Sequence, residues 1–257
     1  GPLVGLVPQV LSCDVQQDMH RKVAILNALG VSRTGRWFEK NPWIVTVDVE
    51  SGMRPSIEYL RSIEGLNVGK AVNALPSVIF RNSPEKLRAK LDYMIELGIP
   101  EKRIGKFVNR YPQLLGYSLD GNMKATVEWL RSVGIKDVAR CLFKNPRLLG
   151  ASLTTLQAKH DFVVNSWGRP VSEIERFPQV LTYSLDYLRK RHGYLQAHGK
   201  ADKGALHRLL RTADYLFAKK AGGSVVEYQA FEPIAEGEEA VSLAGLGLDL
   251  GGEEITA

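Results

Sequence analysis

The chain has 257 residues, 44% of them apolar, which is enough to bury a core, yet no apolar run is long enough to span a membrane. Its two cysteines, Cys13 and Cys141, exclude a disulfide framework or cysteine metal cluster and read as reduced, partly buried thiols of an intracellular protein. The net charge of +6 hides a division: residues 224–257 hold eight acidic residues and no Lys or Arg, leaving 34 basic against 20 acidic residues before them, a surplus of +14. A body this basic points to a polyanionic partner such as nucleic acid.

Gly1-Pro2 reads as the remnant of a cleaved tag, with the natural N-terminus and any transit peptide expected upstream. From there a short phrase recurs, a proline followed two residues later by an aliphatic pair. It stands at Pro8, Pro42, Pro76, Pro112, Pro146 and Pro178, at intervals of 34, 34, 36, 34 and 32 residues. A period in this range predicts stacked supersecondary repeats. Six residues after each proline stands Asp14, Asp48, Asn82, Ser118, Ser152 or Ser184, each an N-cap residue for a first helix. Gly30, Gly65, Gly98, Gly134, Gly168 and Gly199 then suit the left-handed position that ends it. Apolar residues between cap and glycine recur at helical spacing, as in Leu87, Leu91, Met94 and Leu97.

A shorter second helix follows, with Ile104, Phe107 and Val108 on its apolar face in one repeat and Val138, Cys141 and Leu142 in the next. The next proline stops it, because proline lacks an N–H and clashes with the preceding turn. The pairs Val10-Leu11, Ile44-Val45, Val78-Ile79, Leu114-Leu115, Leu148-Leu149 and Val180-Leu181 fit a 3₁₀ plug in the core. No strand pattern occurs in the repeats, so the expected class is all-α, an α-solenoid of about six helix–helix–plug units. The last unit has Ala213 where the proline belongs, as a capping repeat does. Two regions are expected: a helical array over residues 3–223 and an acidic, Gly-rich segment over 224–257, disordered from about Glu236. Val225, Val226, Tyr228 and Phe231 are candidates to dock on the last repeat.

The prolines also serve as a ruler for charge. Six residues before each stand Arg36, Lys70, Lys106, Arg140 and Ser172, and two before stand Lys40, Ala74, Arg110, Lys144 and Arg176. His207 and Arg211 continue the two rows into the last unit. The rows are four residues apart, so they share one face of helix two. Ten of these twelve positions are basic or His, where the composition would place about two. The helix dipole favours cations at the second row, near the helix C-terminus, but does not account for the first. Helix one carries a third row, His20, Arg54, Arg88, Lys124, Gln157 and Arg189, and a partly basic fourth, Lys22, Ser56, Lys90, Thr126, Lys159 and Arg191. Stacked rows of this kind track a phosphate backbone. The aromatics Trp37, Trp43, Tyr59, Tyr93, Trp129 and Phe162 fall at core spacing, while Tyr117 and Tyr183 are placed to stack on bases.

Nothing points to an enzyme. There is no Gly-rich phosphate loop, HExxH or paired-cysteine spacing, hence no cofactor or metal is expected. His160-Asp161 is an isolated pair, and Ser118, Ser152 and Ser184 are explained by capping.

YPQLLGYSL at Tyr111–Leu119, NPRLLGASL at Asn145–Leu153, FPQVLTYSL at Phe177–Leu185 and the LG at Leu29-Gly30 and Leu97-Gly98 resemble the mTERF family of organellar transcription termination factors. Tetratricopeptide and pentatricopeptide repeats lack the proline–aliphatic plug. The resemblance covers residues 3–220 and implies a left-handed solenoid with a basic concave groove along nucleic acid. It also implies a mitochondrial address, with the chloroplast second, and a plant or green-algal mitochondrial member fits it. The expected function is sequence-specific binding of double-stranded DNA by a monomer that terminates or regulates organellar transcription. Arg36, Arg110, Arg140, Arg176 and Arg211 are the candidates to read guanine edges. Binding of RNA in ribosomal RNA maturation, ribosome assembly or splicing is one alternative. A solenoid scaffold for other proteins is another, and no membrane partner is expected.

Overall fold

The structure, a computed structural model, describes residues 15–31, 34–80, 82–201 and 204–233. The chain divides into two compact units between Leu156 and Gln157. Among the described residues there are helices and turns and no strand.

The first unit alternates long and short helices: α1 (Val15–Ala28), α2 (Thr34–Lys40), α3 (Arg54–Ser62), α4 (Val68–Ala74), α5 (Pro84–Glu96), α6 (Ile104–Arg110), α7 (Ala125–Ser132) and α8 (Val138–Lys144). Each short helix stops before a proline that opens a 3₁₀ turn, at Pro42–Thr46, Pro76–Val78, Pro112–Gly116 and Pro146–Gly150. Proline fits there because the first position needs no N–H donor. The aliphatic pairs Ile44-Val45, Val78-Ile79, Leu114-Leu115 and Leu148-Leu149 are all at most 2% exposed. Burial of each such side chain contributes about 1.5–3 kcal/mol. The phrase at Pro8, with Asp14 and Cys13, lies outside the described residues.

The caps follow the sequence with one correction. Asp48, Ser118 and Ser152 accept from the backbone N–H three residues on, at 2.7, 3.1 and 3.2 Å. In the third repeat the cap is Ser83, not Asn82, because Pro84 occupies the first helical position and shifts the start by one residue. Asn82 instead donates to Ser77 O at 3.2 Å. Gly30, Gly98 and Gly134 end their helices with φ of 76°, 99° and 88°. The next residue's N–H reaches back to the last turn, as Ile135 N does to Leu130 O at 3.1 Å, closing a Schellman turn over buried Val31, Ile99 and Ile135.

The short helices α4 and α6 each sit on the helix-one end of the repeat before them. A Cβ at Gly105 would lie 2.1 Å from Glu64 O, and one at Gly69 would lie 1.8 Å from Leu29 O. Only glycine allows this approach. Asn109 secures the same contact, donating to Gly65 O at 2.7 Å and accepting from Asn67 N at 2.8 Å. Asn73 donates to Gly30 O at 3.4 Å in the equivalent place.

In the second unit, α9 (Leu153–Asp161, which begins just before the division) runs through a π turn at Phe162–Ser166. There follow α10 (Val171–Arg176), the turn Pro178–Thr182, α11 (Leu185–Ala197), α12 (Leu206–Arg211), α13 (Asp214–Ala221) and α14 (Val225–Ala230). Ser184 caps α11 at 3.2 Å, and Gly168 and Gly199 take φ of 69° and 62°. Where Ala213 replaces the proline, the chain enters α13 directly. Residues 224–233, grouped with the acidic segment in the sequence reading, form a capped helix and the turn after it. Ser224 and Glu227 make a reciprocal capping box. Tyr228 is 3% exposed, and Tyr228 and Phe231 meet Tyr194 edge-on at 5.1 and 5.5 Å. Val226, also expected to dock, is 71% exposed.

Candidate nucleic-acid interface

In the first unit the two helix-two rows come to the surface. Arg36, Lys70, Lys106 and Arg140 are exposed, and each is the third residue of its short helix. The residue before each is Gly35, Gly69, Gly105 or Ala139; Gly69 and Gly105 form the small side that seats α4 and α6 on their neighbours, while Gly35 faces open space. Among the described residues no ion pair or side-chain hydrogen bond engages Lys70, Lys106 or the Arg140 guanidinium. A cation in the first turn opposes the helix dipole at a cost of about 0.3–1 kcal/mol. The fold gains nothing from charge there.

The second row closes the helices: Lys40, Arg110 and Lys144 are the last residues of α2, α6 and α8, where the dipole does favour a cation. Arg110 is tied down further. Its guanidinium donates to Phe143 O at 2.7 Å and Lys144 O at 3.4 Å, and lies 5.5 Å from the Phe143 ring. It therefore joins α6 to the end of α8.

In the second unit Ser172, Arg176, His207 and Arg211 are all exposed. Arg176 and Arg211 close α10 and α12, and His207 meets the Phe177 ring at 6.3 Å.

The helix-one rows differ from this and from each other. The third row is on the surface but largely answered by neighbours. Arg54 pairs with Glu50 at 2.7 Å and Lys124 with Asp120 at 2.6 Å, each at i,i−4. Arg88 covers the Tyr59 ring at 5.5 Å, and Gln157 donates to Asp161 at 2.9 Å. His20 is exposed and Arg189 half-buried.

The fourth row does not belong to an interface. Lys22, Lys90 and Arg191 are 0, 6 and 1% exposed, Ser56 and Thr126 are buried beside them, and Lys159 is half-buried. The three lysines reach across the repeat to one point, the carbonyl of the fourth residue of the proline phrase: Lys22 to Val45 O at 2.6 Å, Lys90 to Leu115 O at 2.5 Å and Lys159 to Leu181 O at 3.1 Å. These carbonyls end a 3₁₀ turn and have no helical partner, so a buried donor must meet them. Lys90 also donates to Asn82 Oδ1 at 3.0 Å, and Ser56 donates to Asn82 O at 2.5 Å. Where the proline is absent the row holds Arg191, which donates to Leu209 O, to Thr212 O at 2.8 Å and to Asp214 at 2.6 Å. Burial holds the pKa of Lys90 and Lys159 below the usual lysine value, with the Lys86 charge adding to the effect at Lys90.

The two tyrosines proposed for base stacking are packed instead. Tyr117 shares a 2.6 Å hydrogen bond with Tyr111 and fills the space a Cβ on Gly150 would need. Burial and that bond raise its pKa. Tyr183 stacks on Tyr187 at 5.1 Å. Phe162 is buried, Trp43, Tyr59, Tyr93 and Trp129 are half-buried, and the Trp37 side chain lies outside the described set. His160 Nδ1 lies 3.1 Å from Asp161, whose pKa is lowered by that contact and by Gln157. No group of three or more His, Cys, Asp or Glu among the described residues is arranged to hold a metal. No described helix is long and apolar enough to cross a membrane.

The mTERF family model matches residues 2–146 and, in a second register, 66–218. The chain is 24% identical over 263 residues to Transcription termination factor MTERF8, chloroplastic, of Arabidopsis thaliana, across 85% of this chain and 52% of that protein. It is 23% identical over 208 residues to Transcription termination factor 3, mitochondrial, of Drosophila melanogaster, across 77% and 57%. A shorter match, 26% over 91 residues and 35% of this chain, is to Transcription termination factor MTERF15, mitochondrial, of Arabidopsis thaliana. The chain thus spans little more than half the length of the first two relatives.

Proposed function

The chain belongs to the mTERF family, and from that premise we propose that its helix-two rows bind double-stranded DNA sequence-specifically, in a mitochondrion, to terminate or regulate transcription. The observation that carries this reading is the first row in the first unit: exposed cations in the first turn of successive short helices, where the dipole opposes them and no carboxylate among the described residues pairs with them. Phosphates would meet Lys70, Lys106 and Arg140 along that row, joined by Arg36, Lys40 and Lys144 in the first unit and Arg176, His207 and Arg211 in the second. Arg36, Arg140, Arg176 and Arg211 are the proposed readers of guanine edges. Arg110, committed to backbone carbonyls, is withdrawn from that set, as are Lys22, Lys90, Lys159 and Arg191 from the interface. Arg54, Arg88, Lys124 and Arg189 play a secondary part at most. The names of the relatives support the transcriptional role and an organelle, with mitochondrial and chloroplastic members both among them. The protein acts by binding, as a monomer, and not as an enzyme.

Fluorescence anisotropy with duplex DNA tests this. Replacing Lys106 and Arg140 together with Ala should weaken binding about ten-fold and reduce the slope of log affinity against log salt by about two. Unchanged affinity would sink the interface. Competition by structured RNA of the same sequence that outmatches the duplex would turn the reading to RNA.

A further inference from the structure

The last two helices of the array carry a concentration of charge that the fold does not answer. Residues 205–223 contain Arg208, Arg211, Lys219 and Lys220, all exposed, and one acid, Asp214. Asp214 is taken by Arg191 at 2.6 Å. Among the described residues no carboxylate pairs with the other four cations. Lys219 and Lys220 close α13, which packs against α14.

The helix packed on α13 anchors the chain that follows it. The capping box, buried Tyr228, the Phe231–Tyr194 contact and a 2.9 Å bond from Lys190 to Gln229 O hold α14 in place up to Pro233. Glu236, Glu238 and Glu239 follow at once, then Asp249, Glu253 and Glu254, with no Lys or Arg from 234 to 257. The first three acids are within about 10–20 Å of chain from Pro233. Tethering gives them an effective concentration of order mM at their own surface, so a weak ionic contact is enough.

We propose that residues 234–257 dock their carboxylates on Arg208, Arg211, Lys219 and Lys220 and compete there with nucleic acid for the last helix two of the basic row. The competition rests on the functional reading above; the docking does not. The acids act as a phosphate mimic in cis, so that duplex must displace them to engage Arg211 and His207. Such a device trims non-specific affinity, which is mostly ionic, and leaves sites with base contacts favoured.

Two measurements on the whole chain test this. Carbodiimide cross-linking without nucleic acid, mapped by mass spectrometry, should join Glu236, Glu238 or Glu239 to Lys219 or Lys220, and the links should fade as salt rises. The variant E236Q/E238Q/E239Q should bind duplex DNA about five-fold tighter at low salt. Absent links overturn the docking, as they would if the acids served a separate basic protein. Links with an unchanged affinity in the triple variant overturn the competition, provided Lys106→Ala/Arg140→Ala still loses binding. If no chain binds any nucleic acid, the functional reading fails by itself, and the cross-links alone then uphold or overturn the docking.

Discussion

Lys90 and Lys106 belong to one repeat and carry the same ammonium group, yet the fold uses them in opposite ways. Lys90 is 6% exposed and donates to Leu115 O and Asn82 Oδ1, closing the turn that separates its repeat from the next. Lys106 stands in the open on the first turn of α6, at the end of the helix dipole that repels it. A repeat copies both positions, so each becomes a row. Charge that recurs with the period is thus no evidence of an interface until burial is known. The inner row holds the repeats in register, and the outer row is what that register presents to solvent.

The largest test acts on the seat of the outer row. Gly105→Ala would place a methyl 2.1 Å from Glu64 O and 2.6 Å from Leu66 N, both backbone atoms that cannot turn aside. The expected loss of stability is about 3 kcal/mol, read by urea denaturation, with a fall in DNA affinity as α6 shifts. A neutral result would mean that α6 does not rest on the repeat before it. Next comes the contrast itself. Lys90→Met leaves the Leu115 carbonyl buried and unmet and should cost about 2 kcal/mol, while DNA affinity of the folded protein stays within about two-fold. Lys106→Met should do the reverse, changing stability by less than about 0.5 kcal/mol and weakening DNA binding several-fold. Equal losses of affinity from the two would erase the distinction.

Much of this was legible in the chain. The phrase prolines located the five described 3₁₀ turns that they open, though not the one at Glu101–Arg103. The named glycines located the left-handed helix ends except Gly222 after α13. Both served because proline's missing N–H and glycine's missing Cβ act on the backbone directly. Asn82 misled because the extra residue before Pro84 moved the cap to Ser83. The burial of the fourth row was also written there and overlooked. Lys90 lies three residues after Leu87 and four before Met94, inside the apolar stripe of α5, as Lys22 lies four before Leu26 and Arg191 four before Leu195. What the sequence could not supply was the partner, since a backbone carbonyl from the next turn leaves no mark on residue type. The same holds for Arg110, whose bond to Phe143 O crosses from one repeat to another.

Arg110 offers a finer test, because it sits in the outer row and behaves like the inner one. Arg110→Lys keeps the charge and the end-of-helix position but loses the planar fork that spans Phe143 O and Lys144 O. Stability should fall by about 0.5–1 kcal/mol, with DNA affinity nearly unchanged. A ten-fold loss of affinity at full stability would return Arg110 to the set that reads bases.

The smallest effect is in pH. Burial, with the charge of Lys86 added, holds the Lys90 pKa below the ordinary 10.5. As pH rises, the folded chain therefore sheds this proton before the unfolded chain does. Between the lowered pKa and 10.5 the unfolded state binds more protons, so the stability owed to this residue increases with pH across that window. The neutral amine still donates to Leu115 O, so the contact survives the loss of charge. The unfolding free energies of the wild type and Lys90→Met, compared from about pH 8 to about pH 10, should draw apart in the wild type's favour. The subtraction cancels the tyrosines, which lose protons in the same range in both proteins. A constant difference would mean that the Lys90 ammonium meets water as freely as Lys106 does, and the inner row would then lose its claim to be a different kind of charge.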